Sequence, residues 1–115
     1  MSGATVPLAV LKKWVGQFVH EREWEKSHTP KNLTAAIAIE SAELMEIFQW
    51  TDTQESQHQA TAPDVRLRVE EELADVLIYC LALANQLDLD LSEAVSRKVE
   101  LNARKYPTDR YRGRY

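Results

Sequence analysis

A chain of 115 residues with 44% hydrophobic and 28% charged side chains has room for one domain and one core, and it is too apolar to be disordered. Acids outnumber bases, 18 Asp and Glu against 14 Lys and Arg for a formal net charge of −4, which argues against gripping nucleic acid through a basic face. Cys80 is the only cysteine, no apolar run reaches the roughly 18–20 residues of a membrane span, and Met1 opens no basic-then-apolar leader. A cytoplasmic protein is expected, with neither nucleic acid nor membrane as partner.

With three Gly and four Pro, the breaks in the chain are easy to place. Thr5 is a candidate cap for a first helix, with Pro7 in its opening turn, and Leu8, Leu11, Val15, Phe18 and Val19 repeat at helical spacing toward Lys26. Residues 27–30 form a turn. A second helix, about Lys31 to Trp50, is apolar nearly all round through Leu33, Ala35, Ala36, Ile37, Ala38 and Ile39, the pattern of a helix buried on several sides and therefore at a subunit interface as well as a core. Residues 51–63 carry no period and no large apolar residue and read as a flexible connection. Pro63 or Asp64 opens a third helix to about Leu87. Asp90 and Glu93 have capping-box spacing before a fourth, which Pro107 ends, and residues 107–115 form a basic tail. No stretch alternates as a strand would. The prediction is an all-α chain, one domain over 1–115, with four helices in an antiparallel bundle that assembles into a homo-oligomer.

Two segments share one pattern. Glu40-Ser41-Ala42-Glu43-Leu44 lies on the second helix and Glu72-Leu73-Ala74-Asp75-Val76 on the third. Residues three apart share a helix face, so each segment projects a carboxylate pair in one direction. That direction is unusual for acids: Leu33, Ala36 and Ile37 precede Glu40 on its face, and Ile78, Tyr79 and Ala82 follow Asp75 on its own. Ala42 and Ala74 are small enough to let the two helices approach closely. Glu70 and Glu71 are rotated by about 100–200° from Glu72 and fit the ordinary surface role, with Arg66 and Arg68 as ion-pair partners.

Four carboxylates converging between helices repel one another and resist burial unless a cation joins them. Glu40, Glu43, Glu72 and Asp75 are therefore candidate metal ligands. All are oxygen donors and there is no Cys cluster, which suits Mg²⁺, with Mn²⁺ as a substitute. A di-iron bundle would use Glu-x-x-His pairs. Glu25 with His28 and Glu55 with His58 have that spacing, but the first falls at a helix end and the second in the polar connection.

Taken with its surroundings, this pattern resembles the MazG-like all-α nucleotide pyrophosphohydrolases, in particular their dCTP pyrophosphatase branch. The likeness runs from about residue 10 to 107 and includes residues 20–25 (HEREWE) with His28, Pro30, Asn32 and Leu33. It continues through residues 43–50 (ELMEIFQW), residues 72–79 (ELADVLIY), Lys98 with Asn102, and Lys105-Tyr106-Pro107. Ser41-Ala42 stands where relatives often have Gly, and residues 51–62 show little likeness. The resemblance implies Mg²⁺-dependent hydrolysis of a nucleoside triphosphate, dCTP or a 5-modified dCTP, to the monophosphate and pyrophosphate, in nucleotide-pool sanitation. It implies Glu40, Glu43, Glu72 and Asp75 as catalytic metal ligands. Trp24 and Trp50 would wall the nucleotide pocket, with His28 at its edge, and Tyr79, Lys98 and Asn102 would contact the substrate. It also implies a homotetramer, or a homodimer, with sites between subunits. Trp14 is expected to pack in the core. The alternatives are the same reaction on dUTP or a broad set of nucleotides, and a non-catalytic helical adaptor whose paired acids are interface charges.

Overall fold

Side-chain caps and prolines set where most of the helices begin. The computed structural model describes residues 5–114 and, among them, contains no strand. Its helices are α1 (Leu8–Glu21), α2 (Pro30–Glu46), α3 (Thr53–Gln59), α4 (Pro63–Gln86), α5 (Leu91–Lys105) and α6 (Thr108–Tyr111), with a 3-10 turn at Glu25–Ser27. Thr29 caps α2, its hydroxyl accepting from the Asn32 N–H at 3.2 Å, and Pro30 fills the first helical position, where no N–H is needed. Asp90 caps α5 by accepting from the Glu93 N–H at 3.0 Å, as the Asp-x-x-Glu spacing predicts. The cap of α1 is Pro7 and not Thr5. Pro7 has extended ψ, and its carbonyl accepts from the N–H groups of Val10 and Leu11.

The polar segment expected to be irregular holds α3. The signal is the same as at α5: Asp52 caps it, accepting from the Glu55 N–H at 2.8 Å, and a helix of seven polar residues has no apolar period by which to be found. The Gln59 side-chain amide donates to the Ile47 carbonyl at 3.3 Å and ties α3 to the end of α2. The basic tail likewise contains a helical turn, α6, begun by Pro107.

The first two helices stop earlier than their apolar patterns suggest. α1 ends at Glu21 and the chain reverses through Glu23, which sits in the left-handed region at φ 53°. The Trp24 N–H donates to the Val19 carbonyl and the Glu23 N–H to that of His20, the two bonds of a Schellman motif. Such motifs bring the residue after the reversal onto the last turn of the helix, and the Trp24 ring meets Phe18 edge-on at 5.7 Å. The same device ends α4, with Asp88 at φ 53° and Leu89 bonded back to Ala84.

The packing is led by α4. α2 lies along it, and α1 crosses its C-terminal half. At that crossing Gly16 leaves room for Asn85, since a Cβ there would come within 3.3 Å of the Asn85 Nδ2 and require that side chain to shift by a few tenths of an ångström. The Asn85 amide donates to the Lys12 carbonyl at 2.9 Å, and the Lys12 ammonium to that of Leu89 at 2.5 Å. The buried residues are Val19, Leu33, Ile47, Leu81, Ala82 and Ala84. The side of α2 turned from α4 exposes Ile39 and Met45, while α5 exposes Val95 and Val99 and makes only marginal contact with the other helices. Ala42 and Ala74 do not form the close approach between α2 and α4. Both are exposed, since two residues on from Glu40 or Glu72 is about 200° around the helix. Trp14 is half exposed in an apolar groove of about 420 Å³ between α1 and α4, shared with Leu11, Phe18, Ala74 and Leu77, and is not a core residue of the chain.

Leu33 is the largest fully buried side chain, so Leu33→Ala should lower unfolding free energy in urea by roughly 2–5 kcal/mol, whereas Asp52→Ala, which removes only a helix cap, should lower it by about 1 kcal/mol. A Leu33→Ala loss as small as that of the cap variant would contradict a core at the α2–α4 seam.

Candidate metal centre and its aromatic approach

Two buried stripes meet along the seam. On α2 and its C-cap the less exposed positions are Leu33, Ala36, Ile37, Glu40, Leu44 and Ile47; on α4 as far as Tyr79 they are Val65, Val69, Glu72, Val76 and Tyr79, after which Cys80 to Ala84 are all less exposed. Both spacings are those of one helical face, and each stripe contains one acid. Glu40 and Glu72 are thus half-buried by the helix period itself. Glu43, three residues beyond Glu40, lies at the exposed edge of the seam, as does Asp75 three residues beyond Glu72.

Glu40, Glu43 and Glu72 converge. One carboxylate oxygen from each lies within 4.8 Å of the others. Asp75 is outside this group, but its charge acts on both Glu40 and Glu72. The cluster bears the electrostatic marks of unneutralised acids. Hydrogen bonding to Glu43, burial, and the charges of Glu43, Asp75 and Glu72 push the Glu40 carboxyl up to about 7. Glu72 is also raised, by burial first and then by the charges of Glu43 and Asp75, with Arg68 opposing. Oε2 of Glu40 and Oε2 of Glu72 are buried without a hydrogen-bond partner. Unpaired buried carboxylate oxygens are rare because their desolvation is uncompensated. A hard divalent cation between these oxygens would supply the missing partner, and the all-oxygen donor set suits Mg²⁺. Glu70 and Glu71, by contrast, are exposed, and Glu70 pairs with Arg66 at 3.7 Å as an ordinary surface ion pair.

Rings lead up to this cluster. Trp24 stands 6.3 Å from His28, and His28 stands 6.5 Å from Tyr79, which follows Asp75 by one helical turn on α4. Phe18 supports the far end of the series through its edge contact with Trp24. The His28 Nδ1 is buried without a partner, and His28 lines a cavity of about 230 Å³ with Glu25, Asn85 and Gln86. A half-exposed indole, an imidazole with a free nitrogen and a phenol beside carboxylates form a wall suited to a flat heterocycle with an anionic tail.

The structure therefore brings together Glu40, Glu43 and Glu72, with the charge of Asp75 acting on the cluster, and strings Trp24, His28 and Tyr79 into a ring series whose Tyr79 end lies one helical turn from Asp75 on α4. It does not bring in the rest. Trp50 projects from the turn after α2, 90% exposed, and makes no ring contact among the described residues. Lys98 is exposed and Asn102 half-buried on α5, which makes only marginal contact with the helices that carry the carboxylates among the described residues. Sequence reasoning missed the contact of Phe18 with Trp24, since Phe18 reads as one more apolar residue of α1, and the pairing of His20 with Glu25 at 2.6 Å. Their relation to Trp24 depends on a reversal that no residue spacing announces.

The described residues form an all-α chain with paired acids on two adjacent helices and a series of rings that ends one helical turn from Asp75, and the chain is similar to proteins of one family. A model of the MazG-like family matches residues 35–114. The chain is 42% identical over 103 residues to dCTP pyrophosphatase 1 of Bos taurus, a match covering 90% of this chain and 61% of the relative. It is 42% identical over 97 residues to dCTP pyrophosphatase 1 of Homo sapiens, covering 84% of this chain and 57% of the relative. The chain thus spans about three-fifths of the length of these curated relatives. A crystal structure of a pyrophosphatase from Archaeoglobus fulgidus superposes with a TM-score of 0.81 at 46% identity, covering 87% of this chain and 92% of that one. The chain belongs to the MazG-like family.

The raised carboxyls set the sign of a pH effect. A carboxyl whose folded pKa lies above its unfolded value stabilises the fold fully at low pH, and that contribution is lost as pH rises through the folded value. Without divalent cation, the protein should therefore lose stability between about pH 4.5 and 7 on account of Glu40, with Glu72 acting in the same direction. Glu40→Gln removes the penalty. In EDTA its melting temperature should match that of the unsubstituted protein near pH 4.5 and exceed it by roughly 3–6 °C at pH 8. With Mg²⁺ at pH 8 the order should reverse. Identical melting temperatures at both pH values would contradict the clustering.

Proposed function

We propose that this chain is a nucleoside triphosphate pyrophosphohydrolase that converts dCTP, or a 5-modified dCTP, to the monophosphate and pyrophosphate in cytoplasmic nucleotide-pool sanitation. The observation that carries this reading is the trio of convergent carboxylates with two orphaned oxygens. The names of the relatives at 42% identity support the choice of substrate. No helix among the described residues is long and apolar enough to cross a membrane.

Glu40, Glu43, Glu72 and Asp75 would hold Mg²⁺. When bound, Mg²⁺ neutralises the triphosphate and polarises the phosphoryl oxygens at the reacting phosphorus. The remaining work falls to the chain. Half-burial of Glu40 and Glu72 excludes water from the inner side of the cluster and keeps its charges strong. Glu43 is both exposed and bonded into the cluster, so it can orient a water and take its proton. The water oxygen forms a bond to the α-phosphorus, the α–β bridging P–O bond breaks, and its electron pair leaves with pyrophosphate. Trp24, His28 and Tyr79 would hold the base and sugar so that the α-phosphate meets Glu43. Positioning and charge compensation of this kind supply most of the rate in phosphoryl transfer.

The proposed assembly is a homotetramer in which α1, α2, α4 and α5 form four-helix bundles completed across subunits. Exposed Ile39, Met45, Val95 and Val99 and the wholly apolar α1–α4 groove support this reading, since single-chain soluble proteins seldom expose so much apolar surface together. In such an assembly Trp50, Lys98 and Asn102, which this chain leaves apart from its own cluster, would complete the substrate contacts of a site between subunits.

Assay of a nucleotide panel with Mg²⁺ tests this. dCTP or 5-methyl-dCTP should release pyrophosphate and no single phosphate, at a higher kcat/KM than dUTP or the other nucleotides. Glu40→Gln and Glu72→Gln should each lower kcat/KM at least about 100-fold, the scale expected when a metal ligand is lost. Unchanged turnover in both variants would overturn the site, and release of single phosphate would overturn the reaction.

A further inference from the structure

The turn that presents Trp24 is crowded with charge. Within six residues the chain carries His20, Glu21, Arg22, Glu23 and Glu25, and Glu23 adopts a left-handed conformation that a non-glycine residue enters at a penalty. Arg22 is turned away from the acids: its guanidinium lies over the Phe18 ring at 3.6 Å and donates to the Phe18 carbonyl at 3.1 Å. This leaves His20 as the cation that faces Glu25. Its Nδ1 meets the Glu25 Oε2 at 2.6 Å, closing a bridge across the chain reversal that contains Trp24, from the last turn of α1 to the first residue of the 3-10 turn. Glu25 also lines the cavity it shares with His28, so an unpaired charge there would stand beside the ring series and oppose an incoming triphosphate.

We propose that the His20–Glu25 ion pair is a clasp that sets the position of Trp24 and thereby tunes affinity for the nucleotide. His20 and Glu25 are positioning residues; neither belongs to the carboxylate cluster. The consequence for nucleotide affinity rests on the pyrophosphohydrolase reading above, while the coupling of His20 to Trp24 does not.

The clasp responds to pH through its histidine. Hydrogen bonding to Glu25, then the charge of Glu25, with smaller contributions from Glu23 and Glu21, raises the His20 pKa above its ordinary value, and the Glu25 carboxyl is lowered mainly by His20, with His28 adding a weak effect. From α4, the side chains lining the shared cavity are the neutral Ala82, Asn85 and Gln86. The clasp is therefore closed while His20 is protonated and Glu25 ionised, and it opens as pH rises through the raised pKa of His20. The pair is exposed, so its effect is modest, about two- to five-fold in an equilibrium.

Two measurements on the full chain test this separately. In the first, made without nucleotide, the indole N–H resonance of Trp24, assigned by its loss in Trp24→Phe, is followed with the His20 imidazole resonance from pH 5 to 9. The two should titrate together, and the Trp24 movement should vanish in Glu25→Gln. A Trp24 resonance that ignores the His20 titration overturns the proposal whether or not the protein hydrolyses anything. In the second, the KM for dCTP should rise about two- to five-fold above the His20 pKa with kcat unaffected by the clasp. Since Glu40 also titrates near pH 7, the readout is the difference between variants. His20→Arg, which keeps the charge, should hold KM at its low-pH value, and His20→Ala should fix it at its high-pH value. Coincident KM profiles for the unsubstituted protein, His20→Arg and His20→Ala would overturn the link to affinity. Absence of dCTP hydrolysis in the unsubstituted protein would count against the pyrophosphohydrolase reading and leave the first measurement to decide the clasp.

Discussion

Mutual repulsion among carboxylates on the α2–α4 seam is the constraint on which the rest of this molecule depends. Glu40 and Glu72 occupy positions where Leu33, Ile47 and Val76 show that apolar side chains would otherwise serve. Placing acids there lowers the stability of the seam and raises the proton affinity of Glu40 toward neutrality. The fold offsets this with apolar residues on either side along both stripes and with the tight α1–α4 crossing at Gly16. What it retains is an unmet demand for positive charge. A divalent cation would answer that demand, and under the proposed function it would let a protein with a net charge of −4 bind a polyanion.

The two members of each acid pair differ in their environments. The inner acids, Glu40 and Glu72, are half-buried and have orphaned oxygens, whereas Glu43 and Asp75 face solvent. This asymmetry follows from helical geometry: a displacement of three residues falls about 60° short of a full turn, enough to move a side chain from the middle of a seam to its rim. Under the proposed function it would also divide labour, with the inner acids ligating the metal and Glu43 meeting water. The aromatic approach has a separate origin. It is built by the end of α1, where a Schellman reversal returns Trp24 onto Phe18 and delivers the chain to His28.

The helical class, the α4 opening at Pro63, the Asp90 cap and the acid pairs were legible in the sequence because each rests on interactions within about four residues. The short helix α3 was not, since its polar residues carry no period and only the Asp52–Glu55 spacing marks it. The ends of α1 and α2 were overestimated because Trp24 and Trp50 continue the apolar letters after the helices have stopped. Ala42 and Ala74 were assigned to a close helix contact on size alone, and their angular position places them on the exposed side.

By itself, then, the amino-acid order determined that the chain is helical, that it carries two acid pairs each on one helix face, and that those faces are otherwise apolar. These are properties of 3.6-residue periodicity and of local capping. Which acids converge, which oxygens lose their hydrogen-bond partners, and how Trp24, His28 and Tyr79 line up beside them were decided only by the tertiary structure. The reason is that each involves residues from separate helices, and the relative position of two helices is set by how side chains interlock along the seam and by where the intervening turns reverse the chain.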